Sequence, residues 1–200
     1  MSLNPRVLIK LGANVGFSIK YGEIYRGVTP IFLHAGIQHF FINSLSMFFL
    51  LMVIEKRLNK VIFFMTFLVG GIQGNLLSLF ANFINENDNV VSVGASTSIC
   101  AILGLYLASL YLISLKNGTI ESVKKKIGMM VLYLFLVSVM PGVDFYGHLG
   151  SLIAGSLIGM SFSGMKSDYG EDSLSIKKLK IIALIIYANY TIFLLSIFFV

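Results

Sequence analysis

Charge is scarce in this chain: only 12% of its 200 residues are charged, where a soluble domain carries about 25%. That shortage excludes an ordinary soluble globular domain. Apolar runs take the place of the missing charge, and each is long enough to cross a bilayer core of roughly 30 Å. Cysteine is scarcer still. Cys100 stands alone, so no intrachain disulfide can form and the redox compartment cannot be read. Residues 1–30 mix charges, Gly and Pro without a clean apolar core, so no signal peptide is read there. A long linker, a low-complexity tract and an internal repeat are also missing, which leaves one domain. Neither an HEXXH metalloprotease signature nor a Gly-rich phosphate loop occurs, so no metal and no cofactor are expected. The net charge of +6 would suggest nucleic acid in a soluble chain. In a membrane chain it reflects Lys and Arg held in cytoplasmic loops, and no nucleic-acid partner is expected.

What is present is an all-α polytopic membrane pattern of about six helical spans: 31–53, 61–83, 95–115, 127–140, 146–165 and 179–200. The fourth is short and is expected to extend toward Lys124. Lys56, Arg57 and Lys60 follow the first span; Lys116, Lys124, Lys125 and Lys126 follow the third; Lys166, Lys177, Lys178 and Lys180 follow the fifth. The alternate loops, 84–94 and 141–146, hold no Lys or Arg. The first set of loops is therefore expected to be cytoplasmic. The expected division is an outer N-terminal segment at 1–30, a membrane core at 31–165, a cytoplasmic loop at 166–178 and a C-terminal transmembrane helix at 179–200. Arg6, Lys10, Lys20 and Arg26 conflict with an outer position for 1–30.

His34, His39, His148 and Ser96 all fall at the outer ends of spans. An ionisable group at membrane depth is costly and points to function, although a His that only ties helices together is about as common. The helix faces shift those odds. Ser96, Cys100, Gly104 and Ala108 make one stripe of small residues; Ser151, Gly155, Gly159 and Ser163 make another, with His148 just above. Such faces let two transmembrane backbones approach closely. If the stripes meet, Ser96 and His148 come within reach, and a Ser beside a His base is the minimal activated nucleophile. Gly94 permits a tight turn into the helix that Ser96 begins. Unpaired N–H groups at that terminus could receive an oxyanion. His39 and Asn43, four residues apart on one face, are further candidate donors. The string from Gly94 to Ser98 is not the G-x-S-x-G elbow, and no strand precedes it, so a soluble α/β-hydrolase is excluded.

YRGVTPIFLHAGIQHFFINSL at 25–45, VIEKRL at 53–58, GASTSICAILG at 94–104 and DFYGHLGSLIAG at 144–155, in this order, resemble the rhomboid family over about residues 10–165. The resemblance implies an intramembrane serine protease acting on transmembrane protein substrates near the outer face. It implies Ser96 as nucleophile and His148 as general base and acid, with no acidic third member. His39, Asn43 and the Ser96 backbone N–H are similar to the family's oxyanion site. Gly94, Cys100, Gly104, Ser151 and Gly155 would pack the helices around it, and Asp144 is read as a loop residue. Thr97 and Cys100 stand where the family usually has Gly and an aromatic residue, and Ser151 stands where it usually has Gly. The family's first helix is expected to be absent, and 179–200 to be an extra one. An integral, multi-pass protein of a bacterial cell membrane is expected, with its site toward the outer face. Two rivals stand beside the protease: a catalytically inactive rhomboid-like protein that binds transmembrane clients, and a small transporter lined by His39, Asn43 and His148. The transporter lacks charge deep in the spans and paired broken helices.

Overall fold

The structure is a computed structural model that describes residues 3–54, 59–87, 90–162 and 172–197. Lys56, Arg57, Ser163 and Lys166 lie outside the described residues. A short helix α1 (Pro5–Lys10) leads through strand β1 (Asn14–Val15) and three 3₁₀ turns to α2 (Ile37–Ile54). Next come α3 (Lys60–Met65), a π-helical stretch Thr66–Gly70 and α4 (Gly71–Ile84), which together form one rod, Lys60–Ile84. Strand β2 (Val91–Ser92) precedes α5 (Ser96–Lys116), followed by α6 (Ile120–Ser138), α7 (Phe145–Phe162) and α8 (Leu174–Ser196).

Six helical rods therefore stand where six spans are expected, with shifted ends. The first begins at Ile37 and not at 31, because Thr29–Phe32 closes a 3₁₀ turn around Pro30 and Leu33 is extended. The fourth runs back past Lys124 to Ile120. The last begins at Leu174, where the Ser173 hydroxyl caps the helix by accepting from the Ile176 N–H, so 174–178 are helix and not loop. The connection expected at 141–146 is 139–144.

Four of these rods, Ile37–Ile54, Lys60–Ile84, Ser96–Lys116 and Leu174–Ser196, are long and apolar enough to cross a membrane by length and composition. The chemistry of the other two explains their difference. Helix α6 carries Glu121, Lys124, Lys125 and Lys126 in its first two turns, and α7 is diluted by glycines, serines and His148. Helix α7 tolerates this because α5, α4 and α8 pack around it. At the other extreme, α2 and α8 are only 11% buried. Phe40, Phe41, Leu45, Phe48 and Met52 of α2 and Ile181, Ile185 and Ile192 of α8 all face outward. Apolar side chains turned away from the protein on this scale require a lipid surround.

The α5–α7 contact is made by missing side chains. A Cβ added at Gly155 would run into the Ala101 carbonyl; at Gly104 it would sit 2.5 Å from the Leu152 carbonyl oxygen, and at Gly159 2.7 Å from that of Leu105. The two stripes meet, as small-residue faces do in membranes. The pairing is shifted by about one position, because Gly104 faces Leu152 and Ser156 and does not oppose Gly155. Ser151 departs from the stripe: it packs against Gly74 of α4. Helices that cross cannot share one straight seam along their whole length, and α4 takes over at this level. Residue numbers rise together along the contact, so α5 and α7 run parallel.

Residues 14 and 15 pair with 92 and 91 in an antiparallel bridge. This small β1–β2 ribbon is the departure from an all-helical chain among the described residues. It fixes the N-terminal segment at the end where α5 and α7 begin, here the upper end. Arg26 is buried there and is spent on structure. Its Nε contacts Glu23 at 2.6 Å, and one terminal nitrogen donates to the carbonyls of Ile9 and Ala13. The Arg26 hydrogen bond holds the Glu23 carboxyl below its usual pKa. Lys20 lies over the Phe83 ring. These two cations thus take part in contacts at the upper end.

Candidate active site

Ser96 is the first residue of α5, and no side chain caps that terminus. The N–H groups of its first turn are therefore left without helical partners. Gly94 enters the turn at φ +128°, a conformation that glycine alone adopts readily. It also has no room for a side chain: a Cβ there would lie 2.9 Å from His39 Nε2 and 3.6 Å from Asn43 Nδ2. The loop that delivers Ser96 is thus pressed against the His39–Asn43 face of α2.

Hydrogen bonds define which groups of that face are donors. The Ala35 N–H donates to His39 Nδ1 at 3.3 Å, which leaves the proton of a neutral ring on Nε2, the nitrogen turned to Gly94. Asn43 is buried, and its amide donates to the His39 carbonyl at 2.9 Å. An amide NH₂ has two protons, so a second one is free to donate elsewhere. His34 packs edge-on against His39 with ring centroids 5.4 Å apart. Burial is the main cause that keeps its pKa below the ordinary imidazole value.

His148 lies in the first turn of α7 and is 7% exposed. Its ring is bonded through Nδ1 to the Ser138 hydroxyl at 2.9 Å, and no hydrogen bond joins it to Ser96 among the described residues. What ties the two helix starts together lies four residues upstream of Ser96 and of His148. Ser92 and Ser78 donate their hydroxyls to Asp144 Oδ2, and Asp144 Oδ1 accepts the Gly147 N–H, capping α7. Asp144 therefore belongs to the loop, and its carboxylate is engaged by groups other than the His148 ring. The parallel register of α5 and α7 brings Ser96 and His148 to the same upper end. Cys100, one turn below Ser96, is buried.

Two features are only faintly signalled by the sequence. Ser138 falls at the end of α6, ten residues before His148, and only the Pro141-Gly142 turn between them hinted that the chain doubles back there. The polar side of α4 is the other. Asn75 bridges the Asn14 side chain and the Gly27 carbonyl, and Gln73 donates to Thr191 of α8 at 2.8 Å. Polar residues recurring through an otherwise apolar run were the available signal.

Residues 21–164 match the rhomboid domain family. The chain is 31% identical over 166 residues to Rhomboid-like protease 1 of Toxoplasma gondii, which covers 81% of this chain and 55% of that protein. It is 31% identical over 170 residues to RHOMBOID-like protein 1 of Arabidopsis thaliana, covering 82% and 41%. It is also 31% identical over 149 residues to the Putative rhomboid protease YdcA of Bacillus subtilis (strain 168), covering 74% and 70%. The chain thus spans about half the length of the first two relatives. Similar proteins occur in a parasite, a plant and a bacterium, so membership alone does not assign a bacterial membrane. With the match running from the turns before α2 through α7, this multi-pass membrane protein belongs to the rhomboid family.

Proposed function

We propose that the chain is an intramembrane serine protease that hydrolyses peptide bonds in or near transmembrane segments of other membrane proteins. Ser96 attacks the carbonyl carbon, and its proton passes to His148, which later returns a proton to the leaving amine. His39 Nε2–H, the second Asn43 amide proton and the Ser96 backbone N–H receive the charge that develops on the carbonyl oxygen. The site opens to the outer face, opposite the loops rich in Lys and Arg.

The observation that supports this reading is the parallel α5–α7 contact, in which Ala101 meets Gly155, together with the Ser92–Asp144 tie between the segments that lead into the two helices. The names of the relatives, several of them proteases, support the same reaction class. A serine-reactive phosphonate tests it. Covalent labelling that maps to Ser96, lost in Ser96→Ala and in His148→Ala, is expected. A folded chain that neither labels nor cleaves a model transmembrane substrate would overturn the protease reading.

A further inference from the structure

Ser138 is the last residue of α6, and His148 sits one turn into α7. The turn between them doubles the chain back with Gly142 at φ +80°, and Phe135 meets Phe145 edge-to-face across it. Both Ser138 and His148 are buried, at 4% and 7% exposure. The Ser138 Oγ to His148 Nδ1 distance of 2.9 Å is a normal hydrogen bond. The Ser138 hydroxyl makes no other hydrogen bond among the described residues, whereas Ser114, Ser122, Ser161 and Ser196 bond back to their own helices. The nearest carboxylate does not compete for the ring, because Asp144 is occupied by Ser78, Ser92 and the Gly147 N–H.

We infer that Ser138 is a positioning residue for His148: its oxygen accepts the Nδ1–H and so leaves Nε2 unprotonated, ready for the Ser96 proton. An imidazole has two nitrogens, and the partner of one decides the state of the other. In the step served, the Ser96 O–H bond breaks and an Oγ–C bond forms to the substrate carbonyl. The proton moves to Nε2, the Nδ1 proton stays in place, and the carbonyl π pair moves onto the oxygen. The ring is then cationic, and its bond to Ser138 becomes charge-assisted and stronger. The role rests on the protease reading above and adds a residue to it.

The test compares Ser138→Val with Ser138→Thr, which share a shape and differ in the hydroxyl, beside Ser96→Ala. Ser138→Val should lower kcat by about 10–100-fold, the range for one hydrogen bond to a charged group, with KM unchanged. Ser138→Thr should recover most of that loss at equal thermal stability. Equal losses in both, or a loss carried by KM, would make Ser138 mere packing. A faster Ser138→Val would mean that this bond competes with the Ser96–His148 pair, which also overturns the inference. Parent-like cleavage by Ser96→Ala would sink the protease reading itself, a result separate from any of these. Should Ser138→Val fail to fold, ¹⁵N NMR of histidine-labelled parent, with the His148 signal assigned by loss in His148→Ala, still decides. A proton on Nδ1 is expected, and a proton on Nε2 overturns the inference.

Discussion

Gly94 was legible in the sequence as a turn residue, but not the reason it admits nothing else. Its positive φ and its approach to His39 are two independent constraints, and the second depends on a helix fifty residues away in sequence. The same limit governs the other candidate site residues. Residue type and spacing pointed to Ser96, His148, His39 and Asn43, whereas Ser138 required the fold, since nothing in a lone serine announces its partner. The chemistry makes distinct demands on each. Ser96→Ala and His148→Ala should each abolish cleavage, and the double variant should be no worse, because the two act as a unit. Rates in the parent should also fall toward acid, since a protonated His148 cannot take a proton. A flat profile into acid would count against a histidine base. His39→Ala or Asn43→Ala should lower kcat by about 10²–10³ if each supplies an oxyanion donor. An unchanged rate in both would leave them as the tie between α2 and the Gly94 loop.

Helices were the most legible level, because apolar runs of membrane length have few other readings. Their partners were only half legible. The stripe through Gly155 and Gly159 does meet α5, but Ser151 turns to Gly74 and Gly150 to Leu77 and Tyr190. A helix packed on several sides needs small residues on several faces, and a one-dimensional stripe cannot say which neighbour each one serves. Gly155→Ala tests the α5–α7 seam with a single carbon. Its Cβ would strike the backbone carbonyl of Ala101, which cannot rotate away. Overpacking of this kind costs ~1–3 kcal/mol, and a shift of about 1 Å at the reacting groups can cost ~10²-fold in rate. Gly128→Ala on α6, where a side chain meets open space, is the control and should leave thermal stability and cleavage near the parent's. Equal behaviour of the two would mean that the seam is loose. At the other end of α5, Asp172 bridges Lys116 and Lys180, and Lys180 is the main cause that holds its carboxyl below the usual pKa. A depressed carboxylate stabilises the fold above its unfolded pKa, about 3.9, and that stability is lost as pH falls through the folded value. Asp172→Asn should therefore melt below the parent at neutral pH, and the difference should vanish in strong acid. A gap that persists there would assign it to something other than charge.

At the scale of the whole molecule, orientation was the property that charge counting left in conflict. The basic residues of 1–30 argued for the cytoplasmic side, while the alternation of the later loops argued for the opposite one. The β1–β2 ribbon joins residues 14–15 to 91–92, so the N-terminal segment shares a side with the loop before α5, and one experiment decides both. In a Cys100→Ser background, Tyr21→Cys, Asn87→Cys and Met140→Cys should all react with an impermeant thiol reagent applied outside intact cells. Thr119→Cys and Ser175→Cys should react only after the membrane is opened. Tyr21 and Met140 are well exposed, so burial is no alternative cause of silence there. If Tyr21→Cys behaved like Thr119→Cys while Asn87→Cys labelled from outside, the ribbon could not exist in the membrane. If the whole pattern inverted, the fold would stand but Ser96 and His148 would face the cytoplasm, and the substrates within reach would be those with cleavable segments on that side.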